Sequence, residues 1–76
     1  MEFKIFIVKK ENFIFKIEED YPEVGAYFYV FQDNNCVFDS LQENYSQCIE
    51  LALELYNIPK EEWVLIDYLE ESVGEL

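Results

Sequence analysis

Apolar positions alternate with a period of two along the first half of the chain, then fall at helical spacing. In 3–8 (Phe-Lys-Ile-Phe-Ile-Val), Phe3, Ile5 and Ile7 share one face and Lys4, Phe6 and Val8 the other. The polar break Lys9-Lys10-Glu11-Asn12 is short enough for a hairpin. It leads to a second strand, 13–18, with Phe13, Phe15 and Ile17 on one face, so the two strands are expected to be antiparallel neighbours. An acidic loop follows, punctuated by Pro22 and Gly25. A third strand spans 26–31, where Tyr27, Tyr29 and Phe31 alternate with Phe28 and Val30. Asp33-Asn34-Asn35 suits the positive backbone angles of a hairpin turn into the short run Cys36-Val37-Phe38.

The pattern then changes. Ser40-Leu41-Gln42-Glu43 reads as a capping box, with Asp39 adding negative charge at the positive end of the helix dipole. Leu41, Tyr45, Cys48, Ala52 and Leu55 follow on one helical face, flanked by Ile49 and Tyr56. Asn57 suits a left-handed helix end, and Ile58-Pro59 forces the stop. Pro59-Lys60-Glu61-Glu62 predicts one short helical turn. Residues 63–69 fit either a strand or a helical extension; Trp63, Val64, Ile66 and Tyr68 favour the strand. Residues 70–76 read as a frayed acidic tail. The expected architecture is therefore one α+β domain over 1–76. An antiparallel sheet of four or five strands, in the element order β-β-β-β-α-β, packs one face on a main helix at 40–57.

Composition makes that fold affordable. A chain of 76 residues buries only about 60% of its unfolded surface. With 51% apolar and 18% aromatic residues, it still removes enough area from water to fold rather than stay disordered. Charge is lopsided: 17 acids against five lysines give −12, with no Arg or His. Four of the lysines (Lys4, Lys9, Lys10, Lys16) lie before residue 17. Such a field repels phosphate and anionic membrane and draws basic partners, so direct nucleic-acid or membrane binding is not expected. Acidity that serves solubility alone gives the same composition.

Catalytic signatures are missing. Without His the commonest general base is absent, and without Arg so is bidentate phosphate recognition. Paired carboxylates remain, but so small a domain has little room for a pocket, and no enzyme is expected. The acids of 18–23 lack the alternating spacing and glycine of a calcium loop, so neither a metal nor a cofactor is expected. Two cysteines, Cys36 and Cys48, are too few for a disulfide scaffold, although a bridge between them stays open. No signal-peptide pattern precedes the first strand, and the longest apolar run, 26–31, is six residues. A reducing cytoplasm is the expected compartment.

The aromatic strand at Tyr27, the turn Gln32-Asp33-Asn34-Asn35-Cys36-Val37-Phe38-Asp39, the segment Leu41-Gln42-Glu43 and the run Asn57-Ile58-Pro59-Lys60-Glu61-Glu62-Trp63 together resemble a family of small acidic bacterial proteins. That likeness covers about half the chain and carries no functional residues. Size, acidity and the sheet-plus-helix layout are similar to immunity proteins that neutralise bacterial toxins, including those of contact-dependent inhibition and nuclease bacteriocins. The antitoxin domain of the HicB type has a similar strand and helix order, though its Pro-Gly turn has no counterpart here. These resemblances imply a protein-binding inhibitor, an immunity protein or antitoxin, set against a cationic toxin, nucleases included. The partner-binding candidates are Glu18, Glu19, Asp20 and Glu23 of the loop, Glu50 and Glu54 on the outer helix face, and Glu61, Glu62, Asp67 and Glu70 near the end. Tyr27 and Tyr29 are the candidate anchors, because tyrosine offers area at low entropy cost. The alternative is a regulatory or structural interaction module with no toxin partner, for which an edge strand or the tyrosine face offers a homodimer contact; monomer and homodimer both stay open.

Overall fold

The computed structural model describes residues 4–68. Five strands, β1 (Lys4–Lys10), β2 (Phe13–Glu19), β3 (Ala26–Gln32), β4 (Asn35–Gln42) and β5 (Val64–Tyr68), form one sheet in the order β4-β3-β2-β1-β5. Every neighbouring pair is antiparallel. One helix, α1 (Tyr45–Tyr56), and a short 3-10 turn at Lys60–Glu62 lie between β4 and β5. The element order β-β-β-β-α-β is the one the hydrophobic pattern implies, and 64–68 is a strand. The tail 70–76 lies outside the described residues.

Strand register sorts the side chains into two faces. Val8, Phe15 and Val30 align with Phe38 across four strands, and Ile17 and Phe28 lie in the neighbouring row. These residues meet Cys48, Ile49 and Ala52 of α1, and Ile58 and Trp63 close the core behind the helix. Phe28 sits at its centre at 0% exposed, with ring contacts to Phe38, Tyr56 and Trp63 at 6.0, 6.2 and 6.4 Å. Cys48 donates to the Ala26 carbonyl at 3.5 Å, and burial, with Glu19 nearby, pushes its thiol up to about 11. Both cysteines are free; Cys36 is exposed.

Local turn chemistry behaves as its residues dictate. Asp33 and Asn34 take φ of 53° and 70°, the pair of positive angles a two-residue hairpin needs. Asn57 is left-handed at φ 60°, ψ 38°, and the N–H groups of Asn57 and Ile58 return to the carbonyls of Leu53 and Ala52.

The helix begins later than its sequence suggests. Ser40, Leu41 and Gln42 belong to β4, paired with Phe28, Tyr27 and Ala26, so Ser40 caps nothing and bonds Gln42 Nε2 instead. Asn44 is the N-cap: its side-chain oxygen accepts from the Gln47 N–H at 2.9 Å, while Gln47 Oε1 accepts from the Glu43 N–H at 3.4 Å. The expected apolar stripe loses its first member for this reason, and its last lies on the exposed side of the helix. Leu41 is a strand residue 52% exposed, and Leu55 faces solvent at 51%. Asn44→Ala is expected to cost about 1 kcal/mol in urea unfolding, and Ser40→Ala much less.

Candidate functional site

With one face of the sheet covered by α1, the other is left without a helix among the described residues. Side chains alternate along each strand, so every core residue leaves a neighbour pointing away. Row by row this second face carries Leu41, Tyr27, Glu18 and Ile5, the last only 4% exposed; Asp39, Tyr29, Lys16 and Ile7; then Phe31, Ile14 and Lys9. The β3 rings form a ladder, Tyr27 to Tyr29 at 6.0 Å and Tyr29 to Phe31 at 6.1 Å. Lys16 lies over it, its Nζ 5.4 Å from the Tyr29 ring and 5.6 Å from Phe31, and is fixed by an ion pair to Glu18 at 2.9 Å. Partial burial raises the Tyr29 phenol above its usual range, with the charges of Glu18, Tyr27 and Asp39 adding to it. Tyr27, Tyr29, Asp39 and Leu41 bound a shallow depression of about 220 Å³.

The acids mostly lie elsewhere. Glu19 is on the helix side, where burial raises the Cys48 thiol and the Tyr45 phenol and the charge of Glu19 adds to both. Asp20 and Glu23 sit in the β2–β3 turn, which the Asp20 N–H to Gly25 carbonyl bond closes at 2.9 Å. Glu50 and Glu54 stand one turn apart on the exposed side of α1, with Leu53 between them at 50% exposed. Glu61 and Glu62 occupy the 3-10 turn, and Glu62 pairs with Lys10 at 2.8 Å. Asp67 is a β5 position paired with Ile5, and Glu70 lies outside the described residues. Among the described carboxylates only Glu18 and Glu62 pair with lysine.

The sequence-derived candidates therefore fall into two groups. Tyr27, Tyr29 and Glu18 share the second sheet face. Asp20, Glu23, Glu50, Glu54, Glu61 and Glu62 lie on the rim and the helix side. A partner docked flat on Glu50 and Glu54 does not reach the tyrosines. Ile14, Lys16, Phe31 and Leu41 belong to the second face but were not among the candidates. Their signal is the register that places Ile14-Lys16-Glu18 beside Phe31-Tyr29-Tyr27, which depends on strand pairing.

Comparison with family models, curated proteins and solved structures gives no match to this chain. Among the described residues no helix is long and apolar enough to cross a membrane, and no three metal-ligating side chains cluster.

Proposed function

We propose that this protein is a small acidic inhibitor of the immunity or antitoxin type. It acts by binding a cationic, nuclease-like toxin, with no chemistry of its own, in a reducing cytoplasm. The observation that carries the reading is the uncompensated charge of the rim and helix side. Asp20, Glu23, Glu50, Glu54 and Glu61 have no lysine within ion-pair distance in a chain of net −12. Carboxylates without lysine partners match the cationic groove with which a nuclease holds phosphate, and they raise the rate of encounter. Leu53, exposed between Glu50 and Glu54, supplies an apolar contact within the charged field.

The test is association with basic nuclease-toxin domains, measured by stopped flow. The on-rate is expected to fall at least about tenfold between low and physiological-to-high salt, and a Glu50→Gln, Glu54→Gln variant to slow it at low salt. An on-rate indifferent to salt and to that variant overturns the reading.

A further inference from the structure

We propose that β5 adds edge to edge to the β5 of a second copy, antiparallel about a two-fold axis at Leu65, in a weak and reversible dimer. Two five-stranded sheets then become one. The inference goes beyond the toxin-binding reading and does not rest on it, because it concerns the lysine-bearing edge of the sheet.

β5 ends the sheet, so no strand lies on its outer side among the described residues. Its side chains there are apolar and uncovered: Val64, Leu65 and Ile66 are in succession 57%, 47% and 49% exposed. On the opposite edge the exposed Val37 and Leu41 of β4 are parted by Asp39 and Ser40. β5 also stops short of the strand it pairs with. Val64 lies opposite Ile7 and Trp63 turns into the core, so Val8, Lys9 and Lys10 of β1 run on past the start of β5. A groove of about 440 Å³, lined by Ile7, Val8, Lys9, Glu62, Val64 and Ile66, lies at this step.

Charge selects a second copy as the occupant. β1, the 3-10 turn and β5 carry Lys4, Lys9, Lys10 and Lys60 against Glu61, Glu62 and Asp67. Four of the five lysines in a chain of net −12 thus gather on one edge and leave it close to neutral. No lysine falls between residues 17 and 59, and the β4 edge with its flanking turns holds Asp33, Asp39 and Glu43. Like copies therefore meet at β5 without the repulsion that opposes them at β4 or α1. A cationic partner finds its complement on those acidic surfaces instead.

The axis follows from strand direction. Every pair in the sheet is antiparallel, and a two-fold axis normal to the sheet continues that pattern. With the axis at Leu65, each Leu65 meets its own copy and each Val64 meets Ile66, which gives the contact an apolar centre. The carboxyl end of the second copy's β5 then reaches the level of Val8 and Lys9, beside the groove. The register shift between Ile5 and Phe6 leaves Ile66 out of the β1 ladder. Such a bulge bends an edge strand, so the new ladder is short and the side chains carry much of the contact. Roughly 17 Å of paired strand buries on the order of 800 Å² over both copies, the range of weak association.

Sedimentation velocity and amide NMR of the full chain at physiological salt, from about 10 μM to about 2 mM, test this. The expected result is a dimer of the 9.2 kDa chain with a dissociation constant of about 0.1–1 mM, and concentration-dependent shifts of the Val64, Leu65 and Ile66 amides. A monomer over the whole range overturns the proposal, as do shifts confined to β4 or α1. Leu65→Lys, and a Lys9→Glu, Lys60→Glu variant, each with the native amide spectrum away from this edge, are expected to weaken the dimer at least about fivefold, and Asp39→Lys on the far edge less than about twofold. A loss in Asp39→Lys as large as in Leu65→Lys places the contact elsewhere and overturns it. Indifference to the lysine variant overturns the selection by charge. For the axis, Leu65→Cys in a Cys36→Ser chain is expected to oxidise to a like-pair disulfide dimer faster than Val37→Cys in the same background; an equal or slower rate overturns it.

Discussion

Phe28→Ala is expected to leave the protein barely folded. Phe28 is fully buried on β3, and its ring touches Phe38, Tyr56 and Trp63, so it joins a strand neighbour, the helix and the segment before β5. Truncating a phenylalanine in such a site costs about 3–5 kcal/mol, because the lost transfer energy is joined by the cavity left behind. A domain of this size has about 4–11 kcal/mol in all. The midpoint of thermal unfolding is expected to fall by roughly 15–30 °C. Urea unfolding followed through Trp63, whose indole packs on the same ring, measures it at one fixed protein concentration. A loss below about 1 kcal/mol contradicts the central placing of Phe28.

Gly25→Ala is expected to cost nearly as much for a different reason. Gly25 has φ of 116°, a region closed to side chains, and a β-carbon there runs into the Gln42 carbonyl oxygen, with the Glu43 carbonyl 3.3 Å away. Neither neighbour is a flexible side-chain end: Gln42 closes β4 against Ala26, and Glu43 leads into the Asn44 cap. Relief therefore requires β3 and β4 to part at the point where the helix starts. Backbone strain alone costs about 1–3 kcal/mol, and about 3 kcal/mol or more is expected with the displacement. Amide exchange should rise first at Ala26, Gln42 and Gln47. Wild-type stability in Gly25→Ala, with unchanged exchange there, contradicts the close approach.

These two residues also mark what the sequence discloses and what it hides. Phe28 is legible: an aromatic between two tyrosines in a strand pattern points to one face, and only the choice of face is left to the fold. The Asp33-Asn34 turn and the Asn57 helix end are legible because both depend on angles that asparagine and aspartate tolerate locally. Gly25 reads only as punctuation, since the atom it must avoid belongs to Gln42, brought there by strand pairing. The helix start fails for a related reason. Ser40-x-x-Glu43 and Asn44-x-x-Gln47 are both acceptable caps, and the longer ladder of β4 on β3 decides between them by holding Ser40 to Gln42 extended. The candidate surface was half legible. Tyr27 and Tyr29 stand out by type, but that they face away from Glu50 and Glu54 follows from topology alone.

The sheet order has a consequence for how the chain assembles. β1 to β4 follow one another as a meander, each pair closed by a short connection, and can form from local encounters. The β1–β5 pair instead joins segments near the two ends of the described chain and must pay the largest loop entropy. Docking of β5, led by Trp63 entering the core, is thus the late step of folding. A burst of tyrosine-reported structure should precede the rise in tryptophan burial when the unfolded chain is diluted from urea.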